Sequence, residues 1–154
     1  MADVRREETL SRQECLYLLG SVPLGRVVFT HLGLPAIRPV SHLVEGDQVV
    51  IRAHLGKTAT ILHGAAGGAG GFGGTVVAYQ ADSIRAGGGL SWAVTVVGRA
   101  WRLPETASNT RYREALAPWA GGPNDTPDDI IAIAADIVDG FRLVRSAGSY
   151  SGAA

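Results

Sequence analysis

The sequence predicts a mainly β protein, a small antiparallel barrel of about six strands with short flanking helices. Three observations carry this. Segments rich in β-branched residues are separated by short stretches with turn chemistry, namely "HLG" and "EGD". Large apolar residues alternate with smaller or polar ones along "TVVAYQADSI" and "LSWAVTVVGRAWRL", as in strands with one face in a core. No β-α-β alternation occurs among the six or so strands, which implies a small antiparallel barrel.

The elements follow in order. Ser11 precedes Glu14 by three residues, the spacing at which hydroxyl and carboxylate satisfy each other's backbone donors at a helix start. Cys15, Leu16 and Leu19 then share one face and Gly20 offers a stop, so a short amphipathic helix is predicted. "LGRVVFT", "LPAIRPVSHLV" and "QVVIRA" read as three strands of a meander, and "GKTATILHG" as a short helix after the third. The glycine tract from Gly64 to Gly74 has a high ordering cost and little to pack, which predicts a loop, either mobile or acting as a lid. "LSWAVTVVGRAWRL" is long enough to bend at Gly98 and serve two edges. "NTRYREALAPWA" reads as a helix ended by Pro118. "DDIIAIAADIVDGFRLVR" reads as a strand, a turn or bulge near Asp139 and Gly140, and a terminal strand. The whole of residues 1–154 suits one domain, with 1–9 and 147–154 expected to be flexible.

Composition narrows the function classes. The 14 basic and 14 acidic side chains cancel, so no global field draws the chain to nucleic acid or to an anionic membrane. A charged N-terminus and the lack of any run of about 18 apolar residues lead to the expectation of a cytoplasmic protein. Cys15, the one cysteine, sits among apolar neighbours and reads as a small buried hydrophobe. His31, His42, His54 and His63 show no paired ligand spacing, so no metal site is predicted. No Gly-x-Ser-x-Gly motif marks a hydrolase nucleophile, and no carboxylate pair suggests glycoside chemistry. The glycine tract leads into a strand rather than opening a helix after one, the wrong order for a dinucleotide fingerprint.

One stretch concentrates chemistry. Lys57 is the single lysine of the chain, and it follows Arg52 at the exit of the third predicted strand. Alternation puts Arg52 on the face of Val50, which makes it partly sheltered. Lys57 and Thr58 lie at the start of the next predicted helix, where free N–H groups and the positive dipole end gather. Together these form a local phosphate site in a neutral protein. The competing reading is that Arg52 and Lys57 are solvated ends of their elements.

The order of "GRVVFT", "GLPAIRPVSHLVEGDQVVIRAHLGK", "VAYQAD", "SWAVTVVGRAWRL" and "PWAGGPNDTPDDIIAIAADIVDGFRL" resembles the pyridoxamine 5'-phosphate oxidase-like family of flavin-binding split barrels, in its nitroimidazole-reductase-type branch. The similarity covers nearly the whole chain. It implies a six-stranded split β-barrel that forms a homodimer and holds FMN, or a deazaflavin coenzyme, in clefts between subunits. By this resemblance the cofactor phosphate would lie against Arg52, Lys57 and Thr58. The strand carrying Arg38, Pro39, Val40 and Ser41 would run beside the flavin ring and offer it backbone hydrogen bonds. Trp92 would cover the ring from the neighbouring subunit, or serve ordinary packing. Relatives often carry asparagine and an aromatic where this chain has Ser41 and His42.

The resemblance implies an oxidoreductase in which FMN passes electrons from a reduced nicotinamide to a small acceptor. His42 is a candidate general acid near the ring, or a structural histidine. A deazaflavin-dependent reductase and a non-catalytic module binding flavin or haem are the alternatives. The small polar end "RSAGSYSGAA" does not favour pyridoxamine phosphate as substrate.

Overall fold

The computed structural model describes residues 5–53, 75–86, 89–116 and 128–145. The chain runs through β1 (Arg5–Thr9), α1 (Arg12–Gly20), β2 (Leu24–His31), β3 (Leu34–Glu45), β4 (Gln48–Ala53), β5 (Thr75–Ser83), β6 (Ser91–Arg102), α2 (Ala107–Ala115), β7 (Asp129–Ala134) and β8 (Ile137–Arg145). The strands form one antiparallel sheet in the order β1-β8-β6-β5-β2-β3-β4-β7, and a further pairing of β6 with β7 closes it. Six strands, β2 to β7, therefore make the predicted barrel, while β8 and β1 extend it as a flap.

The closure depends on β6, which uses one edge twice. Ser91 to Val97 pair with β8, and Ala100 to Arg102 pair with β7. Gly98 lies at the changeover, as its position in the sequence predicts. A Cβ there would overlap the carbonyl of Ala134, so only glycine lets the two backbones cross this closely. Asp136 completes the corner by accepting the Arg99 N–H at 3.3 Å.

Alternation sorts the side chains as the sequence predicts. Val27, Phe29, Val49, Ile51, Tyr79, Val94, Val96, Ile131 and Ile133 point inward and are buried together. Each such side chain contributes roughly 1.5–3 kcal/mol through removal from water. α1 forms with its capping box intact: the Ser11 hydroxyl accepts from the Glu14 N–H and the Glu14 carboxylate accepts from the Ser11 N–H at 2.8 Å. That carboxyl is held below its usual range, chiefly by the Ser11 backbone bond. Cys15 and Leu19 bury fully on the barrel, and burial pushes the Cys15 thiol up. On the outer side of β4 and β7, α2 covers a second cluster of Val50, Tyr112, Leu116 and Ile130.

Three elements differ from the sequence reading. Residues 1–9 are expected to be flexible, yet Arg5–Thr9 form β1 along β8, with Arg142 Nε donating to Glu8 at 3.0 Å and Arg5 donating to the carbonyls of Arg85 and Ala86 at 2.8 Å. Asp139 and Gly140 lie within β8, and the break falls at Ala135 and Asp136 instead. Gly140 is required by packing rather than by a turn, since a Cβ would sit 2.7 Å from Cys15 Sγ. α2 ends at Ala115 with its cap at Leu116, before the predicted stop. The predicted helix "GKTATILHG", the tract from Gly64 to Gly74 and the tail 147–154 lie outside the described residues.

Candidate functional site

β3 is longer than either of its neighbours. Leu34 to Ser41 pair with β2 on one edge, whereas pairing with β4 on the other edge begins only at Ser41, opposite Arg52. Over Leu34 to Val40 that second edge faces no strand among the described residues. Pro35 and Pro39 lie along this edge-forming stretch, where a residue lacking an N–H is tolerated. Arg38 and Pro39 are exposed, while Val40 and Ser41 are buried as the strand enters the barrel. The fold thus places Arg38, Pro39 and Val40 on a margin of β3 that faces no second strand among the described residues, with Ser41 at its end opposite Arg52.

Arg52 is partly sheltered, as its alternation with Val50 predicts, and the shelter is α2. Its Nε donates to Asp128 Oδ2 at 3.0 Å, and its Nη1 donates to the carbonyls of Arg113 and Leu116, both at 3.0 Å. The guanidinium therefore caps the carbonyl end of α2, where a cation is favoured by the helix dipole. Arg113 holds the other side of this junction through Asn109 Oδ1 at 2.9 Å, Glu105 Oε1 at 2.9 Å and the Asp128 carbonyl at 2.7 Å. Lys57 and Thr58, the remaining predicted anion ligands, lie outside the described residues.

His42 is enclosed in the barrel. Its Nε2 is 2.7 Å from the Leu19 carbonyl, which can only accept, so Nε2 carries the proton. Nδ1 then accepts from the Tyr79 hydroxyl. Both nitrogens are engaged, and burial holds the imidazole below its ordinary pKa of 6.5. Burial also pushes the Tyr79 phenol up. This geometry supports the structural alternative for His42: the ring ties the C-terminal turn of α1 to the middle of β5. Delivering a proton to a ligand would first require breaking one of these two bonds.

Trp92 lies on the inward face of β6 in the main core, opposite Ser83 and Arg142. Its packing is within its own chain. Sequence reasoning missed Asp128 and Tyr79, the partners of Arg52 and His42. Asp128 is one of several acids in "NDTPDD", and nothing local marks which of them meets an arginine 76 residues away. Tyr79 was visible only as an inward residue of an alternating strand.

A closed six-stranded antiparallel barrel with one strand shared between two partners, and a β3 margin that is unpaired among the described residues and ends opposite an arginine, defines a split-barrel domain. A family model for pyridoxamine 5'-phosphate oxidase matches residues 11–145, and the chain belongs to that family. It is 39% identical over 135 residues to an uncharacterized protein of Mycobacterium tuberculosis, covering 88% of this chain and 84% of that one. Among solved structures it is similar to an FAD-binding protein from Mesorhizobium loti, with a TM-score of 0.69 and 19% identity over 92% of this chain and 100% of the other. It is also similar to the FAD binding protein of Mycobacterium smegmatis, with a TM-score of 0.59 and 23% identity over 89% of this chain and 98% of the other. At these identities the structural likeness establishes the fold. No helix among the described residues is long and apolar enough to cross a membrane.

Proposed function

We propose that the protein is a flavin-dependent oxidoreductase that takes FMN and passes electrons from a reduced nicotinamide to a small acceptor. The observation that carries this reading is the β3 margin, which faces no second strand among the described residues and ends at Ser41, opposite Arg52. A strand edge supplies main-chain donors and acceptors that suit the heteroatoms of a planar ring, and an arginine at its end suits an anionic tail. Family membership and the FAD-binding proteins that share the fold support the same cofactor class.

The flavin, when bound, would supply the redox chemistry. The chain would supply position. The stretch Arg38, Pro39, Val40 and Ser41 would run beside the ring, with the main-chain groups of Pro39 and Ser41, which face away from β2, oriented toward it, and Arg52 would take the phosphate together with Lys57 and Thr58. Val40 and the buried core behind it keep water from one side of that strand.

We further propose a homodimer. In-register pairing aligns Ile37, Val28, Ala78, Val97 and Ile137 in one apolar row across β3, β2, β5, β6 and β8 on the outer face of the sheet. The end residues, Ile37 and Ile137, are 66% and 65% exposed. A continuous apolar row on a sheet exterior is a surface that gains by being covered, and a second copy with the same row is self-complementary.

The test is FMN fluorescence during titration with purified protein, followed by anaerobic addition of reduced nicotinamide. Quenching of the FMN fluorescence on binding and bleaching of its visible band by the nicotinamide are expected. Uptake of a deazaflavin coenzyme but not FMN would transfer the assignment to that coenzyme. Uptake without reduction by either nicotinamide would favour a binding module over an enzyme.

A further inference from the structure

The cation assigned to the phosphate already has an anion. Arg52 and Asp128 meet at 3.0 Å with side chains only 18% and 19% exposed, so the pair is shielded from most of the screening that weakens surface ion pairs. Nη1 is also committed, to the two carbonyls at the end of α2. The charge of Arg52 is therefore balanced within the chain by a carboxylate and by the negative end of a helix dipole.

We propose that Asp128 is an internal competitor for the anionic tail and sets how strongly the site distinguishes a phosphorylated flavin from its phosphate-free form. This rests on the assignment of Arg52 to the cofactor phosphate. A phosphate that takes the Nε side of the guanidinium must displace the Asp128 carboxylate, and one that approaches elsewhere on the group still meets its negative charge. Either way the carboxylate subtracts from the phosphate's contribution and leaves the ring's contribution untouched.

Asp128 is held in place for this role. Its own carbonyl accepts from Arg113 Nη2 at 2.7 Å, and Arg113 is in turn tied to Asn109 and Glu105. The main chain of Asp128 is therefore anchored to α2 independently of its carboxylate, so the side chain can turn away from Arg52 while the strand start at Asp129 stays put.

The experiment compares FMN with riboflavin, which has the same ring and no phosphate, on the intact chain and on Asp128→Asn, by fluorescence quenching. The amide keeps the acceptor for Arg52 Nε and removes the charge. We expect FMN affinity to rise about fivefold to tenfold in the variant with riboflavin affinity unchanged. Asp128→Ser, also free of charge, is expected to behave in the same direction and serves if the amide disturbs folding, which a circular dichroism melt reports. Equal FMN affinity in parent and variants, with FMN still binding more tightly than riboflavin, would overturn the competitor and keep Arg52 as a phosphate ligand. FMN and riboflavin binding equally well throughout would remove both. No binding of either flavin by the folded chains would remove the flavin reading itself and this proposal with it.

Discussion

The rings of His42 and Tyr79 meet edge to face inside the barrel, with centroids 5.1 Å apart and planes at 75°. The tyrosine hydroxyl satisfies Nδ1 of a histidine whose other nitrogen is already bonded to α1. Removing that hydroxyl leaves a buried acceptor without a partner. Tyr79→Phe is expected to lower stability by about 1–3 kcal/mol in urea denaturation, more than the loss of one hydroxyl from a surface site.

The same pair predicts a pH dependence. Burial lowers the folded-state pKa of His42 below its ordinary 6.5, so the unfolded chain takes up a proton first as pH falls. Stability is therefore fully present above about 6.5 and declines as pH drops from there toward the folded-state value, where the decline levels off. Glu14 acts lower, because its depressed pKa costs stability only as pH falls below its ordinary 4.5. Melting temperatures measured between pH 8 and pH 5 should fall in the parent chain and vary less in His42→Asn. An unchanged slope in the variant would assign the upper window to another group.

The β2–β3 turn carries a local conflict. Leu32 and Gly33 are its two central residues, with φ of 51° and 77°. Glycine adopts that region freely, whereas a leucine there is disfavoured by roughly 1–2 kcal/mol. Leu32 is also 72% exposed and so gains little from packing. Leu32→Asn creates the Asn-Gly pair preferred in such turns and is expected to raise stability by about 0.5–1 kcal/mol in the same urea assay. A destabilised variant would mean that Leu32 packs against a partner in the assembled protein.

The apolar row makes the dimer testable. Replacing Ile37 or Ile137 with glutamate places a charge at one end of a surface that a second copy would cover. Sedimentation equilibrium should give a dimer mass for the parent and a monomer mass for Ile37→Glu with Ile137→Glu. If the parent itself is a monomer at tens of micromolar, the row has some other use.

Much of the barrel was legible because it is written in short-range patterns. The inward set of β5 and β6 follows from alternation, α1 from Ser11 and Glu14, and the shelter of Arg52 from its phase with Val50. Gly98 could be located as a bend for the same reason. Residues 5–9 carry no local strand signal, because the partner that makes them a strand, β8, lies at the far end of the chain. Gly140 was misread because glycine signals a turn locally, while its actual cause is Cys15 on a distant helix.

The sequence by itself determined the strand periodicity, the capping of α1 and the presence of an arginine at a strand exit, since each depends on residues within a few positions of one another. Only the tertiary structure decided that β6 closes the barrel onto β7, that β4 meets β3 only from Ser41 onward, and that Asp128 rather than a neighbouring acid meets Arg52. Those outcomes depend on which remote backbones the closed barrel brings within hydrogen-bonding distance, and no local pattern specifies them.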